Sequence, residues 1–216
     1  MNIHVKLDNT DADKLFDRVK KNELCETFYE TGALKERWSQ KLGKLHGWYT
    51  SYFESGGIEN KINHVDGKED GLCESYFENG QLEAKGFNVK GQHHGYWERF
   101  YPSGEKFFSV SFENDKEQGE SECHHENGEI ATRAIYKDGL LHGSYSRFFN
   151  DGKLGVTKEF EFGVEEGPQV IFHSNGEIEE NVIYKNGKPE GLWECFDDSG
   201  ELIERRMYLD GEIVIT

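Results

Sequence analysis

The residues best suited to chemistry crowd into one stretch, ESECHHE at 120–126, where Cys123, His124 and His125 stand among Glu120, Glu122 and Glu126. Thiolate, imidazole and carboxylate together are the donor set of a divalent metal site, and a Cys near a His is the pairing that activates a nucleophile. His93 and His94 are a second candidate pair. Both chemistries need side chains that converge on one point. Neighbouring residues of a strand point to opposite faces, so in a strand His124 and His125 cannot share an ion. The chain contains no GxSxG, no HExxH and no P-loop sequence. The expectation is no catalytic residue, no metal and no cofactor.

The elements that must position these groups are set by an internal repeat. Glycines fall at 32, 56, 80, 104, 128, 152, 176 and 200, each 24 residues after the last. A second series runs 43, 67, 91, 139, 163, 187 and 211, with Asp115 at the missing step, and a third runs 47, 71, 95, 119, 143, 167 and 191. Four residues before each first-series glycine stands a ring, from Phe28 and Tyr52 through His124 to Phe196. In this register His124 and His125 replace a ring pair, and His46, His94 and His142 are residues preceding a third-series glycine.

Short glycine-punctuated blocks with alternating polarity are strands. In IEENVIYKNG, Ile178, Val182 and Tyr184 share parity. The NG, DG and SG pairs of the first series predict tight hairpin turns, and the second and third glycines predict wider connections such as KLGKLHG. Pro102 and Pro189 are assigned to turns and Pro168 to a strand start, where a missing N–H does least harm. The expected fold is all-β: an elongated single-sheet antiparallel meander of about eight 24-residue β-hairpins, roughly 16 strands. DNTDADKLFDRVKKNE predicts a short capping helix over 11–21, so residues 1–24 form an N-terminal cap and 25–216 one continuous array.

The register also places the cysteines. Cys25 and Cys73 lie two repeats apart and Cys123 and Cys195 three, which is roughly 19 and 29 Å at about 4.8 Å per strand. A disulfide needs Cα atoms within about 7 Å. Four free thiols are expected, as in a reducing compartment.

Composition narrows the partners. Lys and Arg number 25 against 42 Asp and Glu, a formal net charge of −17. That sign repels phosphate backbones and anionic headgroups, so nucleic acid and membrane are disfavoured and a basic protein is favoured. The first residues lack the apolar core of a secretory signal, and a cytoplasmic location is expected.

The unit YxxGxLxxxxxYxxGxxHGxWxxYF, clearest from Phe77 to Tyr101 and from Ile135 to Leu154, resembles the MORN repeat. More closely it resembles the bacterial variant in proteins labelled YwqK-family antitoxins. The resemblance covers about residues 25–213. It implies sheets of successive hairpins and, in bacteria, an immunity protein or antitoxin that binds its toxin directly. The chain departs from it most between Asn114 and His125.

Function is accordingly expected to be binding and not catalysis: stoichiometric occlusion of a basic toxin by an acidic sheet. Tyr49, Trp97, Tyr145 and Trp193 share one column, as partner-facing rings or as the core of a thin sheet. Glu120, Glu122, His124, His125 and Glu126 mark the place where the repeat loses its glycine, leucine and paired rings together, a second candidate contact. Glu26, Glu74, Glu98, Glu122 and Glu194 form an outward polar column. The alternative is a structural scaffold or oligomerising adaptor, self-associating through the C-terminal edge strand LDGEIVIT.

Overall fold

The computed structural model describes residues 23–215. It is all-β, with 18 strands in one open antiparallel sheet that follows a meander. The helix expected over 11–21 lies outside the described residues. Two compact units divide the chain: one runs to Gln81 and takes in Phe87–Gln92, and the other comprises Leu82–Gly86 and everything from His93 on.

The first unit contains β1 (Glu23–Phe28), β2 (Leu34–Lys41), β3 (Lys44–Tyr52), β4 (Ile58–Val65), β5 (Lys68–Tyr76) and the end of β6 (Leu82–Val89). The second contains the start of β6, then β7 (Gln92–Phe100), β8 (Lys106–Glu113), β9 (Lys116–His124), β10 (Ile130–Lys137), β11 (Leu140–Phe148) and β12 (Leu154–Glu161). It continues with β13 (Val164–Glu165), β14 (Gly167–Phe172), β15 (Ile178–Lys185), β16 (Lys188–Phe196), β17 (Leu202–Leu209) and β18 (Glu212–Ile215). Two strands exceed the expected sixteen: the two-residue β13 is split off ahead of Gly167 and Pro168, and β18 follows the last tight turn.

The two kinds of turn are the reverse of the sequence expectation. The second glycine series makes the tight two-residue turns: Val65 pairs with Lys68 across Asp66 and Gly67, at φ 51° and 85°. Two successive positive φ values are what a type I′ turn requires, and its twist matches that of the flanking strands. The first series closes five-residue loops. In 29–33 the Tyr29 N–H bonds to the Ala33 carbonyl, the Gly32 N–H bonds back to Tyr29, and Gly32 alone has positive φ, 88°. This longer loop lets its leading ring reach the neighbouring loop. Tyr29 donates to the Tyr52 carbonyl at 2.7 Å and Tyr101 to that of His124 at 2.8 Å. Pro189 consequently lies inside β16, opposite Tyr184, and not in a turn. Pro168 is next to the first residue of β14, as expected.

One face carries the core, a strip one side chain thick. Residues directly opposite in adjacent strands lie on the same face. The row Cys25, Trp38, Tyr49, Ile62, Cys73 crosses the first unit, and Trp97, Val110, Ser121, Ala134, Tyr145, Lys158 crosses part of the second. Val110 is fully buried, and Cys73, Ser121, Ala134, Gln169 and Val182 nearly so. Beside this row, third-series glycines face rings of the next strand, as Gly143 faces Phe160 and Gly191 faces Tyr208.

Candidate functional site

The column of Tyr49, Trp97, Tyr145 and Trp193 lies on the core face, each ring half-buried. Each is engaged by its neighbours. Tyr49 donates to Glu36 Oε1 at 2.7 Å, and Thr27 donates to the other oxygen of that carboxylate at 2.7 Å. Those two hydrogen bonds hold Glu36 below its ordinary range, while burial and then the carboxylate push the Tyr49 phenol up to about 12. The Trp97 indole lies over Gly86, so close that an added Cβ there would stand 2.0 Å from the ring. Trp193 lies under the Arg206 guanidinium, 4.8 Å from its centroid. Tyr145 meets Phe160 edge-on at 6.2 Å. Three of the four rings are thus locked into the strip, and Tyr145 keeps its hydroxyl free.

The segment 120–126 is extended through His124, and the structure separates its members. Glu120 is exposed opposite Ile135 on the outer face. Glu122 accepts from Arg133 at 2.9 Å. His124 ends β9, its Nδ1 buried and without a partner. His125 belongs to the loop 125–129 and donates from Nε2 to the Phe148 carbonyl at 3.2 Å, the role that Tyr29 and Tyr101 fill elsewhere and that His173 fills toward Phe196 at 2.9 Å. His125 and Glu126, with Tyr101, Asn127 and Asn150, line a polar cavity of 420 Å³. Among the described residues no three His, Cys, Asp or Glu side chains gather in a metal-holding group. All four cysteines are free, and burial pushes the Cys73 thiol up to about 11, away from thiolate reactivity.

The outward glutamate column is not a free acidic surface. Each member meets a base on an adjacent strand: Glu26 with Arg37 at 2.7 Å, Glu122 with Arg133 at 2.9 Å and Glu194 with Arg205 at 3.1 Å, each eleven residues on, and Glu98 with Lys85 at 2.8 Å and Glu74 with Lys61 at 4.0 Å, each thirteen residues back. Glu98 also meets Lys106 at 2.8 Å. Burial works against its charge, yet the two lysines hold its carboxyl low.

Uncompensated acid sits instead in the five-residue loops. In the second unit these loops, from 101–105 to 197–201, carry Glu105, Glu126, Glu129, Asp151 and Glu177, then Asp197, Asp198 and Glu201, against one base, Lys153, which pairs with Asp151 at 3.1 Å and leaves the others unpaired. All but Asp197 are exposed. The tight turns at the opposite strand ends mix signs, Lys116, Lys137, Lys185 and Lys188 alternating with acids. The first unit shows the same polarity: Glu30, Glu54 and Glu78 in its long loops, and Lys41, Lys44, Lys68 and Lys90 against Asp66 at its tight turns. Sequence reading missed this because net charge was taken over the whole chain. Counting charge separately in the two glycine series reveals it.

A model of the MORN repeat variant matches residues 69–90, 165–186 and 189–210. No curated protein matches the sequence. Among solved structures, a point mutant of S. aureus TarM in complex with Fondaparinux, alpha-GlcNAc-glycerol and UDP is 12% identical over 76% of this chain and 24% of its own, with a TM-score of 0.27. A second TarM structure is 13% identical over 72% and 22%, with a TM-score of 0.25. The chain spans about a quarter of the length of either. Likeness at that level carries no argument. The three family matches fall in one 24-residue register and support a protein built of MORN repeats.

Proposed function

We propose that this protein is a binding module for a basic protein and acts as an antitoxin or immunity protein, neutralising a cognate toxin by stoichiometric contact. MORN repeats are consistent with a repeat protein that binds proteins or membranes. The observation that carries the choice is the unpaired acid of the long loops, set against an outer face whose glutamates are already neutralised. Such a surface steers a basic partner into encounter and repels anionic lipid. Glu126 and Glu129 contribute to it; Glu122 does not. Catalysis has no part in this reading.

The experiment is an affinity pull-down of the tagged full chain from its native cells, with a variant carrying Glu126→Lys, Glu129→Lys and Asp198→Lys beside it. The expected result is one basic protein at one-to-one stoichiometry, toxic when expressed alone, retained by the native chain and lost by the variant. Recovery of equal amounts by both chains refutes the loop edge as the contact. Recovery of the chain alone, as oligomers, establishes the scaffold reading instead.

A further inference from the structure

On the core face of the second unit, β11, β12 and β14 frame a groove of 490 Å³. That volume falls within the range of about 300–1,000 Å³ typical of small-molecule sites. Leu141, Val156 and Ile171 make its floor apolar, together with Tyr145 and Phe160 packed edge-on at 78°. Three polar side chains complete the lining: Arg147, Lys158 and Gln169.

Arg147 is exposed and lies in one row with Val156 and Ile171. Arg37, Arg99, Arg133, Arg205 and Arg206 all have a carboxylate within 4.0 Å. Among the described residues Arg147 is the arginine with none, in a chain whose net charge is −17. Lys158 differs, because Glu165 holds its ammonium group. The groove therefore presents one uncompensated positive charge.

Gln169 supplies the second observation. It is only 6% exposed and donates from Nε2 to Glu180 Oε1 at 3.3 Å. A carboxylate can only accept, which fixes the amide orientation and leaves Oε1 as the free end. That oxygen is buried and meets no donor. A buried acceptor without a donor is costly, and a ligand donor would relieve it. The repeat also breaks here, since Lys158 stands in the column of Val110 and Val182, and Gln169 in that of Cys73 and Ser121.

We propose that this groove binds a small organic monocarboxylate whose apolar or aryl body carries a hydroxyl or N–H donor. The carboxylate pairs with Arg147, the body lies between Tyr145, Phe160 and Ile171, and the donor meets Gln169 Oε1. A dianion such as phosphate is disfavoured, because Glu165 and Glu180 flank the site and leave no second cation. The site's sign is opposite to that of the acidic loops, so it is independent of the partner reading.

The test is an NMR titration of the nitrogen-15-labelled full chain with 3-phenylpropionate, its neutral amide 3-phenylpropionamide, and 3-(4-hydroxyphenyl)propionate. Saturable shifts confined to β11, β12 and β14 are expected, with the amide weaker than the acid by about tenfold, as loss of a charge-assisted contact implies. Arg147→Gln should bring the acid down to the affinity of the amide while leaving the unfolding midpoint unchanged, because the side chain is exposed. The hydroxy acid should bind more tightly than 3-phenylpropionate, and Gln169→Met should abolish that difference. Unsaturating or scattered shifts, equal binding of acid and amide, or indifference to Arg147→Gln would overturn the proposal.

Discussion

At the scale of single residues, the rings that look most like contact residues are explained by what lies beneath them. Trp97 covers Gly86, whose backbone is ordinary strand, so glycine is required there by space and not by conformation. A methyl at position 86 would meet Cδ2, Cε2 and Cγ of the indole within 2.5 Å, atoms at the stem of a rigid side chain that cannot swing aside alone. Gly86→Ala should therefore destabilise the second unit by about 1–3 kcal/mol, the usual range for overpacking. Urea unfolding followed by the tryptophan fluorescence of the chain measures it. A shift below about 0.5 kcal/mol, typical of an unconstrained surface site, would show the ring free to move and restore it as a contact residue.

At the scale of elements, the hydroxyl-to-carboxylate links tie neighbouring strands. Glu36 of β2 accepts from Thr27 of β1 and Tyr49 of β3, joining three strands through one side chain. The folded-state pKa of Glu36 lies below its unfolded value, so its contribution is present above the ordinary glutamate value of 4.5 and is lost as pH falls through the folded value. Tyr49 is raised, so its contribution is complete below 10 and disappears as pH climbs through about 12. Tyr49→Phe should cost about 1 kcal/mol at pH 7, one net hydrogen bond, and the difference from the native chain should shrink between pH 10 and 12. A difference constant over that window would mean the phenol is not bonded to Glu36. Much at this scale was legible in advance. Glycine spacing and parity disclose the hairpins, the register, the columns of rings and the outward glutamates. The turn types were not, because NG and DG occur in both series and the five-residue loop depends on a ring reaching a carbonyl 23 residues on, as Tyr29 reaches Tyr52. Glutamate pairing needed the register shift beside each five-residue loop, which brings Glu122 against Arg133 and Glu194 against Arg205. The groove was illegible for the same reason: Arg147, Lys158 and Gln169 come from three strands, and each alone reads as an ordinary polar strand residue.

At the scale of the whole molecule, two electrostatic effects of opposite sign compete. Paired columns such as Glu26 with Arg37 and Glu122 with Arg133 stabilise the sheet, while like charges stacked along the long loops oppose it. Exposed pairs are each worth only about 0.2–1 kcal/mol. Equivalent loop carboxylates recur every two strands, about 10 Å apart, which is one Debye length at about 0.1 M salt. With acids exceeding bases by 17, repulsion is the larger effect. Raising sodium chloride from about 10 mM to about 0.2 M spans that screening range, so the melting temperature should rise, although every ion pair weakens. Glu126→Gln combined with Glu129→Gln should flatten the response by removing two of the repelling charges. Thermal unfolding across that salt series decides between the effects. A melting temperature that falls with salt would mean the paired columns dominate, and the acid of the loops would then be too dispersed to steer a basic partner.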